Sequence, residues 1–155
     1  MTEALPAHPP TFSPGCPEYV QRVHDSFREQ AFMRTLGASV AEVAPGTVTL
    51  VMPYREDLTQ QNGFLHAGVT AALADSAAGY AAYTVMAPDS NVLSIEFKHN
   101  LLSPAIGARF HARGQVLRAG KQIVVVQATV TAEQPDGREK SVALMQATMM
   151  QVRPA

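Results

Sequence analysis

Residues 60–83 read QQNGFLHAGVTAALADSAAGYAAY. Ala67, Ala71, Ala72, Ala74, Ala77, Ala78, Ala81 and Ala82 set small apolar side chains around every face of a helix expected over about residues 67–86. A helix that is apolar all round is a buried one, and small side chains let a sheet approach its axis. One carboxylate, Asp75, stands about two turns inside, past the free N–H groups that an acidic cap would serve. Burying an ionised carboxylate without partners is costly, so this residue is a functional-site candidate.

Working outward, Pro17 to Leu36 carries Val20, Val23, Phe27 and Phe32 near helical spacing. Pro17 suits a first helical position and Gly37 the residue after the last. Residues 38–43 and 47–54 flank Pro45-Gly46 and predict a β-hairpin. Past the helix, strands are expected at about 92–101, 108–117, 122–133 and 140–152. Ala119-Gly120 and Pro135-Asp136-Gly137 supply turns between the last three. Short turns between long strands imply antiparallel neighbours. The expected fold is α+β: an antiparallel sheet wrapped around one long central helix, with an extra N-terminal helix. Residues 1–16 are expected to be a flexible Pro-rich tail, and residues 17–155 one domain.

Only 16% of the 155 residues are charged, against about 25% in typical soluble domains. Some surface is therefore expected to be covered by another copy. The net charge of −1, with no basic block, lacks the footprint of a nucleic-acid binder. A single cysteine, Cys16, excludes an internal disulfide and a cysteine-based zinc site. It has no activating base near it in sequence, so it is not read as a nucleophile. No apolar run approaches the ~20 residues of a membrane-spanning helix, and the N-terminus lacks a signal-peptide pattern. A cytoplasmic location is the expectation.

His66 stands at the helix start beside Ala67 and Gly68, with Gly63 just before. A helix N-terminus with small residues offers free N–H groups and the positive end of the dipole. Such a place suits a carbonyl oxygen that gains charge during acyl transfer. Gln60, Gln61 and Asn62 are amides able to orient a water or a carbonyl. There is no G-x-S-x-G elbow, P-loop or Rossmann fingerprint. His8, His24, His66, His99 and His111 show no metal-ligand spacing, and no metal is expected.

The runs Asn62-Gly63-Phe64-Leu65-His66-Ala67-Gly68, Leu73-Ala74-Asp75-Ser76-Ala77 and Gly79-Tyr80-Ala81-Ala82 resemble the PaaI-like branch of the hotdog-fold thioesterases. The spacing from His66 to Asp75 matches that family. Residues 92–97, Ser103-Pro104-Ala105, Gly120-Lys121 and Ala147-Thr148 add to the likeness, which covers about residues 38–152. The resemblance implies a hotdog fold, an acyl-CoA thioester substrate and an active site at a dimer interface. It implies a homodimer that pairs into a dimer of dimers, and no cofactor, since coenzyme A is part of the substrate. By resemblance Asp75 is the catalytic carboxylate, either nucleophile or general base. Ala67 replaces the family's usual glycine as the N–H that polarises the carbonyl, with Gly68 beside it. Gln60 matches the family's amide, with Asn62 its rival. Ser94 matches a hydroxyl that orients the attacking water from the partner subunit. Phe64, Leu65 and Tyr80 are substrate-pocket candidates. Arg118, Gly120 and Lys121, then Lys98 and Arg113, are candidates for the coenzyme A phosphates. The alternatives are a non-catalytic acyl-CoA-binding hotdog domain and a hotdog hydratase or dehydratase.

Overall fold

The computed structural model describes residues 11–153. Two short helices, α1 (Tyr19–Glu29) and α2 (Ala31–Leu36), lead into a hairpin of β1 (Ser39–Ala44) and β2 (Thr47–Pro53). The long helix α3 (Ala67–Tyr83) follows. The chain ends in β3 (Asn91–Leu101), β4 (Arg109–Ala119), β5 (Ile123–Glu133) and β6 (Glu139–Val152). All six strands form one antiparallel sheet in the order β1-β2-β4-β5-β6-β3.

Alternation along the strands fixes which face meets the helix. On β5, Val124, Val126, Ala128, Val130 and Ala132 are buried while their neighbours are half-exposed. Together with Phe110, Ala112 and Val116 of β4 and Met145, Ala147 and Met149 of β6, they enclose Leu73, Ala74, Ala77, Ala78 and Ala81 of α3. The close approach needs Gly114: a Cβ there would lie 2.2 Å from the carbonyl oxygen of Ala77. The alanines of α3 thus do what their size suggested.

Four expectations change in detail. The helix expected over residues 17–36 is two helices, because Gln30 takes an extended ψ of 95°. The break rotates the apolar face, so Met33 and Leu36 are buried and Phe32 is 57% exposed. Helix α3 ends at Tyr83, where Thr84 caps it and accepts the Gly46 N–H at 2.7 Å. It is also not buried all round, since Gly68, Ala71, Ala72, Asp75, Ser76 and Gly79 form a stripe that stays partly open. Finally, the expected loose lead-in is docked from Phe12 onward. Phe12 packs on the core, Gly15 donates its N–H to Thr84 O at 2.9 Å, and Cys16 is buried. Residues 1–10 of that expected tail lie outside the described residues.

Strand β3 is an edge, with β6 as its only neighbour among the described residues. Its register on β6 jumps between Ser94 and Glu96, making Ile95 a bulged residue. An extra residue re-aims the side chains around it. Ser94 is opposite buried Met149 and Phe97 is opposite buried Ala147. Both therefore face the helix side, three residues apart, which regular alternation would forbid.

Candidate active site

Asp75 is half-buried on the open stripe of α3. The Ser94 hydroxyl, aimed at the helix by the bulge, donates to Asp75 Oδ1 at 2.6 Å. Charge-assisted hydrogen bonds of this length are among the stronger ones. Asp75 is therefore not a stray core charge: one oxygen is held by Ser94 and it borders a cleft of about 650 Å³. Helix α3 forms one wall through Ala72, Ser76, Gly79, Tyr80 and Tyr83. The α1–α2 break contributes Ser26, Glu29, Gln30, Phe32 and Met33, and β3 contributes its first residues, Asn91 to Ser94. Ser94 reaches Asp75 from within the same chain.

The helix N-terminus is arranged differently from the expectation. His66 is the N-cap, with φ −62° and ψ 140°, and its Nδ1 accepts the Gly68 N–H at 2.9 Å. That bond occupies Gly68 as a donor. The Ala67 N–H is the first of the helix and has no acceptor inside it. Among the described residues it has no partner elsewhere either. Ala67 lines a second, smaller cavity of about 280 Å³ with Gln60, Phe64, Leu65, Thr70 and the segment Leu101–Ala105. Leu65 is buried and Phe64 is half-buried. The Gln60 side-chain oxygen accepts the Asn62 backbone N–H, which shapes the loop at the cavity's edge. The Asn62 side chain is exposed and lines neither cavity.

The basic candidates lie apart from both cavities. Lys98 and Arg113 stand between inward residues of β3 and β4, hence on the outer face of the sheet, away from Asp75. Arg118, Gly120 and Lys121 belong to the β4–β5 hairpin, where Gly120 donates to Ile123 O at 2.8 Å. Lys121 and Arg153 border a separate hollow of about 540 Å³. Among the described residues, no group of three or more His, Cys, Asp or Glu is placed to hold a metal ion. No helix there is long and apolar enough to cross a membrane.

Residues 62–138 match the family model of the thioesterase superfamily. A solved thioesterase family protein from Silicibacter pomeroyi is 47% identical, with a TM-score of 0.85, over 88% of this chain and 99% of that one. This chain belongs to the thioesterase superfamily. A 1,4-dihydroxy-2-naphthoyl-CoA hydrolase of Listeria monocytogenes is 28% identical over 64% of this chain and 80% of its own length. The E. coli PaaI protein of the phenylacetic acid degradation operon shares the fold at 20% identity, with a TM-score of 0.77, over 87% of this chain and 94% of its own. This thioesterase thus shares the hotdog fold of the PaaI protein, and its family makes it a thioester hydrolase.

The polar end of this thioesterase's larger cleft escaped the sequence reading. Gln30 Nε2 donates to the Tyr80 hydroxyl at 2.9 Å, and Ser26 Oγ lies 3.2 Å from the same oxygen. Ser76 reaches Gln30 Oε1 at 3.4 Å. Burial pushes the Tyr80 phenol above its usual range, against the lowering effect of these bonds, so it keeps its proton. Phe27 packs on the Tyr80 ring with centroids 5.7 Å apart, and the Arg22 guanidinium lies 3.7 Å over the Tyr83 ring. The N-terminal helices are thereby anchored onto α3 as a wall of the cleft. No sequence signal marked Gln30, since the break it makes carries neither Gly nor Pro.

Proposed function

We propose that this thioesterase hydrolyses acyl-CoA thioesters in a site built from two copies of the chain. The observation that carries the reading is the separation of the two groups acyl transfer needs. Asp75 and Ala67 are eight residues apart on one helix, about 12 Å along its axis, and they border different cavities. One carbonyl cannot touch both in a single chain. A second copy, antiparallel to the first, brings its Ala67 N–H toward the first copy's Asp75.

The β3 edge supports such pairing. Leu93, Ile95 and Phe97 on it are each about half exposed, and an unpaired apolar edge invites a second strand. In the composite site the thioester oxygen rests on the Ala67 N–H and the helix dipole. Asp75, held by Ser94, either takes a proton from the attacking water or attacks the carbonyl carbon itself. The first route expels CoA thiolate directly; the second passes through an anhydride that water opens. Both give a free acid and CoA, and neither needs a cofactor.

The test is thiol release from a panel of aryl-, short- and medium-chain acyl-CoAs by the wild type, Asp75→Asn and Asp75→Ala. Turnover by the wild type with a loss of about 10² to 10⁴ in both variants is expected for removal of the acid–base group. Folded variants that keep wild-type rates would sink the assignment. Binding of an acyl-CoA without thiol release by the wild type would favour a non-catalytic domain.

A further inference from the structure

We propose that His99 is a positioning residue for the reaction: acting through Thr70, it fixes the first turn of α3 and with it the Ala67 N–H that receives the thioester oxygen. This rests on the reading of that N–H as the oxyanion donor.

The bulge at Ile95 brings His99 to the helix. Ser94 and His99 are five residues apart on β3, an odd spacing that regular alternation sends to opposite faces. The extra residue restores a common face, and His99 lies opposite buried Met145. Its Nε2 is 3.2 Å from Thr70 Oγ1. Thr70 is buried, and its hydroxyl proton goes to Ala67 O at 2.9 Å. A hydroxyl has one proton to give, so His99 is the donor between them. Its Nδ1 is enclosed and has no partner among the described residues. A second ring proton there would stand unpaired, which costs free energy, so the ring is held neutral with its proton on Nε2.

The peptide between Ala67 and Gly68 is thereby pinned at both of its polar atoms. Its carbonyl accepts from Thr70 Oγ1, and its N–H donates to His66 Nδ1. The N–H groups of a first turn have no partners in the helix ladder, so side chains supply the order there. A donor stabilises an oxyanion only when it is aimed at the oxygen beforehand. Thr70 and Ala67 line the same cavity of about 280 Å³, whereas His99 is not among its walls and holds Thr70 from behind. Strand β3 therefore steadies both groups that the reaction needs. Ser94 holds Asp75 directly, and His99 holds the turn that carries Ala67.

The experiment measures steady-state thiol release from one good acyl-CoA by the wild type, His99→Leu, His99→Gln, Thr70→Val and the double variant His99→Leu/Thr70→Val. Melting by circular dichroism is recorded for each. His99→Leu and Thr70→Val should each lower kcat by about three- to tenfold, the worth of one hydrogen bond, with KM little changed. The double variant should lose no more than either single one, because both remove the same contact. Gln places an N–H close to the position of the ring Nε2, so His99→Gln should regain most of kcat. An unchanged kcat in folded His99→Leu, additive losses in the double variant, or a Gln variant as slow as the Leu variant overturns the proposal. NMR of the resting protein should show the neutral ring protonated on Nε2, and an Nδ1–H ring overturns the proposal without any substrate. Ala67→Pro separates the two readings. If it is slow while His99→Leu is not, the role of His99 alone falls. If it keeps the wild-type rate, or the wild type releases no thiol, the oxyanion reading falls and the role of His99 with it.

Discussion

Ser94 Oγ and Asp75 Oδ1 lie 2.6 Å apart, joining the edge strand β3 to the central helix α3. The bond exists because Ile95 is bulged out of the ladder and Ser94 faces the helix. A hydrogen bond to a charged group contributes about 1.5 to 3 kcal/mol, so Ser94→Ala should lower kcat by roughly 10- to 100-fold. Its effect on KM should be small, because Ser94 orients Asp75 rather than the acyl tail. Steady-state kinetics on one good acyl-CoA decides this; an unchanged kcat would remove Ser94 from the machinery.

Ala67 can lose its N–H without losing its helix. It is the first helical residue, where proline is favoured. His66 already has the extended ψ of 140° that a following proline requires. Ala67→Pro should therefore fold normally and lose about 10² to 10³ in kcat, the usual cost of one oxyanion donor. If the site is shared, Asp75→Asn and Ala67→Pro chains refolded together should regain thiol release that neither has alone. No regain in demonstrably mixed dimers would place both groups in one chain.

Much of this was legible beforehand, for physical reasons that differ by element. The two-residue alternation of β5 and β6 and the small-residue run of α3 follow from burial, which a sequence writes directly. Asp75 stood out because it breaks that burial. The Ser94–Asp75 bond did not stand out, because a bulge at Ile95 has no residue type to announce it. The break at Gln30 was hidden in the same way: its side chain bonds the Tyr80 hydroxyl, 50 residues away in sequence. Gly68 stands beside Ala67 as a second candidate donor to substrate, and its N–H is held by the N-cap His66.

Phe97 tests the pairing of two copies. It is 47% exposed on the edge strand and faces the helix side through the same bulge. Phe97→Glu adds a buried charge to any β3–β3 interface, and leaving such a charge uncompensated costs several kcal/mol. The variant should run as a monomer by light scattering and release no thiol, with its circular dichroism retained. A monomer with full activity would contradict the shared site.

Gly79 separates stability from pocket shape. It sits inside α3 and lines the larger cleft, and a Cβ there would meet nothing within 4 Å. Glycine in a helix interior costs about 0.5 to 1 kcal/mol relative to alanine. Gly79→Ala should raise the melting temperature by roughly 1 to 4 °C. Gly79→Leu should fill the cleft and raise KM for bulky acyl groups more than for acetyl-CoA. A uniform change in KM across chain lengths would mean that the acyl group lies elsewhere.

His99 sets an acid limit on stability. Thr70 Oγ1 donates to Ala67 O at 2.9 Å, so at 3.2 Å it accepts from His99 Nε2–H. Nδ1 is then bare and enclosed, with no partner among the described residues. Burial pushes the imidazole below its ordinary value of 6.5. In the unfolded chain His99 takes its proton as the pH falls through that value, while in the fold it resists until lower pH. Between the two midpoints the unfolded state binds more protons, so stability rises with pH there and is lost on acidification. Thermal melts at pH 5, 6 and 7 should fall more steeply for the wild type than for His99→Gln. The His99 ring protons, followed by NMR, should titrate below 6.5; a midpoint at or above it would refute the assignment.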